Sequence, residues 1–211
     1  FVGSRGLGDV YKRQILAKLY FSYSAMNAGK STILLQASHN YQERGMQTLL
    51  LTAKLDTRAG PGVIASRIGL SADAFTFRED TDLFSLIKKS DFEKKRSCVL
   101  VDEAQFLSKK QVWQLARVAD QLDLPVMCYG LRTDFQGKLF QGSGELLAIA
   151  DDIREIRTIC HCGRKATMVV RQSEDGKVLK DGAQIEIGGN DKYISLCRRH
   201  WSEAMGEEIK T

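Results

Sequence analysis

Residues 24–31 read Ser24-Ala25-Met26-Asn27-Ala28-Gly29-Lys30-Ser31. An apolar run precedes them at residues 19–23, and a run with helical character follows at residues 32–37. A strand, a tight loop that ends in Gly-Lys-Ser and a helix are the parts of a phosphate-binding P-loop. Backbone N–H groups of such a loop bind phosphate oxygens, Lys30 can reach the β- and γ-phosphates, and the Ser31 hydroxyl can ligate Mg²⁺. Ser24 replaces the first glycine of the usual pattern, so the stretch taken alone is also consistent with an ordinary helix start.

A hydrophobic run with two acidic residues at its end lies further along the chain. Cys98-Val99-Leu100-Val101 is followed by Asp102 and Glu103. In P-loop enzymes this position at the end of a strand holds the acidic residue near Mg²⁺. Asp102 would orient the metal ion, and Glu103 could accept the proton of an attacking hydroxyl. Strands often end in solvated acids, but the combination with the P-loop favours an enzyme of phosphoryl transfer.

Apolar runs and helical patterns alternate through the first three quarters of the chain. The predicted strands and helices are strands at 17–23, 47–53, 74–77, 98–101 and 126–129, and helices at 30–45, 82–94, 108–122 and 143–150. Residues 54–67 are polar and contain Gly60-Pro61-Gly62, which indicates a loop. The alternation predicts an α/β fold of the P-loop NTPase type, with a mostly parallel sheet and helices on both faces.

The pattern changes near Ile153, where short alternating runs replace the helix and strand units. The predicted elements of this part are strands at 166–171, 184–187 and 193–196, a hairpin turn at 174–177 and a helical tail at about 201–208. We therefore divide the chain into three parts. These are a foreign or disordered extension at 1–15, a P-loop nucleotide-binding domain at 16–157 and a small zinc-binding domain with a C-terminal helix at 158–211.

Two short clusters of cysteine and histidine bracket the small domain. Cys160 and Cys162 form the first cluster, and Cys197 and His200 form the second. Structural Zn²⁺ sites are tetrahedral and often join two such clusters, so these residues predict a Cys₃His site with a structural role. The Cys-x-Cys spacing is tight, which makes His161 a rival fourth ligand. The alternative, three buried free thiols, is weak because this segment is too small to hold a core by itself.

Composition limits the classes of function. The chain has 211 residues, a net charge of +5 and five cysteines. It contains no apolar run of membrane-spanning length, so we expect no membrane partner. The odd number of cysteines and their uneven spacing favour a reducing, cytoplasmic compartment. Basic residues are scattered rather than clustered, which argues against a nucleic-acid partner. A P-loop ATPase that binds nucleic acid through a zinc ribbon remains the alternative function.

Several other side chains are candidates for ligand binding, but each also has an ordinary structural explanation. Arg58 follows Asp56 in the polar loop and could clamp a phosphate, but a solvated surface loop explains the pair equally well. Phe135 and Phe140 are more typical of core packing than of base stacking. Tyr193 could likewise simply pack in the small domain.

Four segments together resemble the thymidine kinases of bacteria and of the animal cytosol. They are Tyr-Ser-Ala-Met-Asn-Ala-Gly-Lys-Ser-Thr at 23–32, Val-Asp-Glu-Ala-Gln-Phe at 101–106, Tyr-Gly-Leu-Arg-Thr-Asp-Phe at 129–135 and Ile-Gly-Gly-Asn-Asp-Lys-Tyr at 187–193. The resemblance extends from about residue 16 to residue 205. It implies transfer of the γ-phosphate of ATP to the 5′-hydroxyl of thymidine, which gives thymidine monophosphate for the salvage of DNA precursors. It also implies a homotetramer and feedback inhibition by thymidine triphosphate.

The resemblance implies a role for each matching residue. Residues 24–31 would hold the triphosphate, and Asp102, Glu103, Ala104 and Gln105 would flank the nucleotide and Mg²⁺, with Glu103 accepting the proton of the 5′-hydroxyl. A lasso-like loop tied down by the zinc domain would cover the thymine base. The remaining substrate-binding residues implied are Met26, Leu131 and Phe135 in the base pocket, Asp56 and Arg58 in a flexible loop, and Gln184, Ile185, Glu186, Ile187, Gly188 and Tyr193 in the lasso.

Overall fold

A six-stranded sheet forms the centre of the computed structural model, which describes residues 17–186 and 192–206. The first eight strands in chain order are β1 (Leu19–Ser24), β2 (Thr48–Ala53), β3 (Val63–Ala65), β4 (Ser71–Asp73), β5 (Phe75–Phe77), β6 (Cys98–Val101), β7 (Val126–Leu131) and β8 (Asp152–Glu155). The sheet has the order β5-β2-β6-β7-β1-β8, and each adjacent pair is parallel. Every residue of β2 and β6 is buried, as the continuous apolar runs predict for central parallel strands.

Four helices cover the two faces of this sheet. They are α1 (Lys30–Glu43), α2 (Leu83–Glu93), α3 (Lys109–Leu122) and α4 (Gln141–Ile149). Leu34 of α1 packs with Leu50 and Leu100 on one face. Side chains of α2, α3 and α4 share a larger core with β2 and β6 on the other face. The predicted α/β fold with helices on both faces is confirmed. In the described ranges, no helix is both long and apolar enough to cross a bilayer.

The helix boundaries follow from local capping chemistry. Asp82 accepts a hydrogen bond from the backbone N–H of Ser85 at the start of α2. Ser108 and Gln111 form a reciprocal capping box at the start of α3. Gly45 has φ +73° and ends α1 by donating its N–H to the carbonyl of Gln42. These signals are short-range, so the sequence predicts these ends well.

Several features differ from the sequence-based expectation. The helical tail predicted at about 201–208 begins earlier, at Arg198. The predicted loop 54–67 contains β3, which pairs with β4 in an antiparallel hairpin, because Ile64 is buried against α1. The strand β8 was not predicted, because it is a polar edge strand held by backbone pairing with β1. The predicted strand 184–187 is wrong for its described part, since residues 184–186 form no strand. Two of their main-chain carbonyls are instead bound by side chains from elsewhere.

The C-terminal part builds a smaller core around the cysteine clusters. Its elements are β9 (Thr158–Ile159), β10 (Lys165–Ala166), β11 (Met168–Gln172), β12 (Val178–Leu179), β13 (Tyr193–Leu196) and α5 (Arg198–Met205). The strands β12, β11 and β13 form an antiparallel sheet. Trp201 packs with Cys160 and Cys197, and its indole N–H donates to the carbonyl of Phe135 at 3.1 Å. Ser195 donates to the carbonyl of Met26 at 2.6 Å, so the small core is fastened to the P-loop.

We expect Gly142→Ala to destabilise the protein by about 1–3 kcal/mol, because a Cβ here meets backbone that cannot easily move. An added Cβ would lie 2.6 Å from the carbonyl oxygen of Ala104, 2.7 Å from that of Leu107 and 3.0 Å from that of Gln105. Gly144 in the same helix is the matched control, since its nearest contact would be 3.9 Å. Gly144→Ala should stabilise by about 0.5–1 kcal/mol through helix propensity. Urea unfolding of both variants checks this, and equal midpoints would contradict it.

Candidate active site

The P-loop connects β1 to α1 through two residues with left-handed backbone. Asn27 has φ +64° and Gly29 has φ +81°, conformations that asparagine and glycine tolerate best. Lys30 begins α1 and is buried, with its amine 3.1 Å from the Ser24 hydroxyl and 3.3 Å from the carbonyl oxygen of Ala25. Ser24 thus contributes an oxygen partner for the lysine at the position where the usual pattern has a glycine.

Lys30 is a desolvated cation in a cavity that we call the phosphate cleft. Its lining comprises residues 26–32, 56–59, 63–68, 102, 103 and 131. Burial lowers the pKa of its amine, against the opposing effect of the nearby carboxylates of Glu103 and Asp102. An anion bound in the cleft would compensate for the lost hydration of this charge. The electrostatics of the site therefore favour a negatively charged ligand such as a phosphate.

Asp102 directly follows the strand β6 and its side chain reaches the start of α1. Its Oδ2 accepts a hydrogen bond of 2.8 Å from the Ser31 hydroxyl, and its Oδ1 accepts one of 3.0 Å from the backbone N–H of Glu103. Burial, reinforced by the neighbouring Glu103, raises the pKa of Asp102 to about 7. The Ser31 hydroxyl and the Asp102 carboxylate lie side by side next to the P-loop, and both are oxygen ligands of the kind that Mg²⁺ prefers.

Glu103 is held in one orientation by two donors. Its backbone has φ +53°, and the residue leads into a short 3₁₀ turn at Ala104–Phe106. Its carboxylate accepts a hydrogen bond of 2.6 Å from Arg58 and another from the amide of Gln105. The Gln105 amide oxygen accepts in turn from the N–H of Leu131 at 2.9 Å, which ties Glu103 to the end of β7.

Gly130 allows this close packing of the 3₁₀ turn against β7. A Cβ at this position would lie 2.9 Å from the backbone nitrogen and from the amide oxygen of Gln105. A larger residue would displace the side chain that orients Glu103. The glycine is therefore part of the framework of the site, which the sequence alone does not reveal.

Arg58 lies in a turn and its side chain is 38% exposed, yet its guanidinium is bound by two carboxylates. It forms a two-pronged ion pair with Asp56 at 2.7 and 2.8 Å, and the same guanidinium reaches Glu103. The hydrogen bonds to Asp56 raise the pKa of Arg58 above its usual range. Burial would raise the pKa of Asp56, but the bonds from Arg58 outweigh it and lower the pKa. The loop thus presents a cation at the carboxylate of Glu103.

An apolar pocket lies next to the phosphate cleft and below the segment 184–186. Four residues line both the pocket and the cleft, namely Met26, Arg58, Glu103 and Leu131. The predicted pocket residues Phe135, Gln184, Ile185, Glu186 and Tyr193 also line it. Ile187 and Gly188 lie outside the described residues. The two cavities meet at Glu103, so a molecule in the pocket can present a polar group to that carboxylate.

Sequence reasoning missed five further residues of the pocket wall. They are Phe106, Thr133, Asp134, Phe140 and Val169. Phe140 was expected to be a core residue; it is buried, packs edge-to-face with Phe106 at 6.1 Å and also faces the pocket. Thr133 and Asp134 belong to residues 129–135, one of the four segments that carry the family resemblance. Nothing in the sequence marks Val169 as a pocket residue, because an apolar residue in a strand normally belongs to the core.

The cysteine and histidine side chains of the two clusters meet in the small domain. The ligand atoms of Cys160, Cys162, Cys197 and His200 all lie within 4.8 Å of one another. His200 Nδ1 is 3.3 Å from the sulfur of Cys160 and 3.6 Å from that of Cys197. His161 instead stacks on the ring of His200 at 4.3 Å. Three thiols and one imidazole at this spacing fit a tetrahedral Zn²⁺ ion.

Comparisons with known proteins find matches that cover most of the chain. A family model described as thymidine kinase matches residues 17–201. The chain is 68% identical over 190 residues to a thymidine kinase of Agrobacterium fabrum, an alignment that covers 90% of this chain and 98% of the relative. It is 64% identical over 192 residues to one of Ruegeria pomeroyi (91% and 97% covered) and 60% identical over 192 residues to one of Haemophilus influenzae (91% and 100% covered).

Proposed function

Because the chain belongs to the thymidine kinase family and is thus an ATP-dependent nucleoside kinase, we propose that it phosphorylates thymidine. The γ-phosphate of ATP moves to the 5′-hydroxyl and gives thymidine monophosphate for the salvage of DNA precursors. The observation that carries the proposal is the junction of the phosphate cleft and the apolar pocket at Glu103. The alternative of a nucleic-acid-dependent ATPase has no comparable support.

ATP binds along the P-loop in this proposal. The residues assigned to it are Ser24, Ala25, Met26, Asn27, Ala28, Gly29, Lys30, Ser31, Asp102, Glu103, Ala104 and Gln105. Ser31 and Asp102 are oxygen donors 2.8 Å apart, which fits Mg²⁺. When bound with ATP, Mg²⁺ would neutralise the charge that develops on the phosphate oxygens. The desolvated amine of Lys30 stabilises the same charge.

Glu103 is the proposed catalytic base. As the 5′-hydroxyl oxygen attacks the γ-phosphorus, the O–H proton passes to the Glu103 carboxylate and the bond from phosphorus to the bridging oxygen of ADP breaks. Gln105 keeps the carboxylate in place through its bond to the N–H of Leu131. Arg58 lies 2.6 Å from Glu103, close enough to stabilise negative charge at the reacting groups.

The apolar pocket is the proposed thymidine site. Met26, Leu131, Phe135 and Tyr193 form its walls, and Asp56 with Arg58 borders its entrance beside the phosphate cleft. The lasso, which we assign to Gln184, Ile185, Glu186, Ile187, Gly188 and Tyr193, covers the base. A covered pocket excludes water, so that ATP transfers its phosphate to the nucleoside instead of being hydrolysed.

Zn²⁺ has a structural role in this account. The ligand set Cys160, Cys162, Cys197 and His200 fills all four positions of a tetrahedron, which leaves none open for catalysis. We propose a nucleotide-binding domain at 16–157 and a zinc and lasso domain at 158–211, with residues 1–15 outside both. We also propose a homotetramer, inhibition by thymidine triphosphate and a cytoplasmic location, on the strength of the family resemblance.

The nature of the product tests the function directly. Incubation with Mg-ATP and thymidine should give thymidine 5′-monophosphate, identified by phosphorus NMR. 5′-Deoxythymidine, which lacks only the acceptor hydroxyl, should give no nucleotide. Phosphate on the 3′-oxygen, or turnover of 5′-deoxythymidine, would contradict the proposed arrangement.

The raised pKa of Asp102 predicts a pH-dependent stability of the protein without metal and nucleotide. The folded pKa of about 7 lies above the ordinary value of 3.8, so the folded protein holds this proton more tightly than the unfolded chain. Stability relative to Asp102→Asn should therefore fall as the pH rises from about 4 to about 7. Thermal unfolding in the presence of a Mg²⁺ chelator measures it. The exposed Asp120→Asn is the control, and parallel pH profiles for wild type and Asp102→Asn would contradict the prediction.

A further inference from the structure

Arg171 is a cation buried in the middle of the strand β11, with only 2% of its surface exposed. Its guanidinium donates to the carbonyl of Ala183 at 2.8 Å and to that of Gln184 at 3.4 Å, and it pairs with Glu186 at 3.1 Å. We propose that Arg171 is a positioning residue that latches the segment 183–186 over the nucleoside pocket. The inference rests on the proposed function, because it assigns the latch to the segment that covers the thymidine site.

In the described part of the chain, the two carbonyls and the carboxylate that bind this cation come from one segment. A buried charge costs several kcal/mol unless charged or polar partners replace its lost hydration. Within the described residues, Arg171 Nε has no hydrogen-bond partner, so the remaining bonds carry the compensation. Both carbonyls and the carboxylate belong to residues 183–186. Opening of the segment would therefore remove these partners at once, which makes the closed state the favoured one.

The same guanidinium contacts the wall of the pocket. It lies 4.0 Å from the ring centroid of Phe135 and 5.5 Å from that of Tyr193, both within reach of a cation–π interaction. The Tyr193 hydroxyl donates to the carbonyl of Glu186 at 2.7 Å. Arg171 thus joins two aromatic walls of the pocket to its cover, without lining the pocket itself.

The far side of the segment has a second attachment. The amide of Gln184 donates to the buried carboxylate of Asp134 at 2.9 Å. That carboxylate also accepts from the backbone N–H groups of Gln136 and Lys138, so its position is fixed. Residues 183–186 are therefore held by Arg171 of β11 and by Asp134 of the loop after β7.

We expect that a lysine at position 171 cannot hold the segment 183–186 as the arginine does. A guanidinium is planar and offers five N–H donors in a fixed fork, whereas an ammonium is a compact charge on a flexible stem. Only the fork can bind two carbonyls and a carboxylate while its central carbon stays 4.0 Å from the ring centroid of Phe135. Arg171→Lys keeps the charge and loses the geometry, and Arg171→Met removes both and keeps the apolar bulk.

Steady-state kinetics of the 211-residue chain, loaded with zinc, test the latch. Both variants should raise the KM for thymidine about 10- to 100-fold, the loss expected for one or two charge-assisted hydrogen bonds. The KM for ATP should stay within about twofold. A merely structural loss would lower the active fraction, and so kcat, without changing either KM. Arg157→Met, at an exposed arginine, is the matched control. An unchanged KM for thymidine in Arg171→Met would overturn the proposal.

Limited trypsin digestion provides a second test, which needs no nucleoside. Lys180 is exposed and lies just before the segment 183–186, so release of the segment should make the bond after Lys180 easier to cut. In the ligand-free Arg171 variants, cleavage after Lys180 should be faster than in wild type. Unchanged cleavage would overturn the latch even if thymidine turnover failed for other reasons. If neither Arg171 variant folds, Glu186→Gln replaces them, because Glu186 is 43% exposed and its change spares the core. Faster cleavage after Lys180 in Glu186→Gln supports the latch, and cleavage at the wild-type rate overturns it.

Discussion

Glu103→Gln lowers kcat for phosphate transfer to thymidine by about 10²–10⁴-fold, the usual contribution of a positioned general base. The amide keeps the size of the side chain and cannot take the proton of the 5′-hydroxyl. Affinity for Mg-ATP should change little, because the P-loop and Asp102 remain intact. Single-turnover rates together with nucleotide titrations measure the two effects separately.

Glu103→Gln changes more than the proton acceptor. The variant also loses the ion pair with Arg58, which lies 2.6 Å away in the structure. Glu79→Gln, a substitution at an exposed glutamate, is the control for the chemical change itself. Wild-type turnover in Glu103→Gln would show that another group accepts the proton, or that none is needed.

Removal of Zn²⁺ should unfold the small domain and abolish thymidine phosphorylation. Structural Zn²⁺ contributes about 10–16 kcal/mol in small zinc domains, as much as or more than the whole stability of an average domain. The site lies within the small core around Trp201, which fastens to the P-loop domain through Phe135. Loss of the ion should therefore release the cover of the pocket, while ATP binding at the P-loop persists.

Fluorescence of Trp201 reports this event. In a Trp113→Phe background, chelation should shift the emission of Trp201 to longer wavelength as the buried indole meets water. His200→Ala should lose zinc, whereas His161→Ala should retain it, because His161 stacks outside the ligand group. Metal loss by elemental analysis with an unchanged Trp201 emission would contradict a structural role.

Local signals predicted much of the fold. Asp82 and Ser108 cap their helices through bonds to residues only three positions away, so the sequence contains the whole interaction. The buried strands β2 and β6 are apolar throughout, a pattern that needs no knowledge of their neighbours. The P-loop and the acidic end of β6 could be paired because each lies at the end of a predicted strand.

Long-range contacts account for what was missed. The edge strand β8 is polar and owes its conformation to backbone pairing with β1. Arg58 looks like a surface residue until the fold brings it to Glu103, which is 45 positions away. Arg171 looks like the outward residue of a strand, yet it is buried because residues 183–186 fold over it. Burial of a polar side chain by a distant segment leaves no mark in the pattern around it.

The rate of phosphate transfer from Mg-ATP to thymidine, measured beside uridine and deoxycytidine, tests the central claim most directly. Lys30→Ala is the blank, since it removes the buried amine of the P-loop and leaves the pocket and zinc ligands unchanged. The account predicts nucleotide product that is selective for thymidine and vanishes in the Lys30 variant. ATP hydrolysis without a thymidine product, or equal product from all three nucleosides, would contradict it.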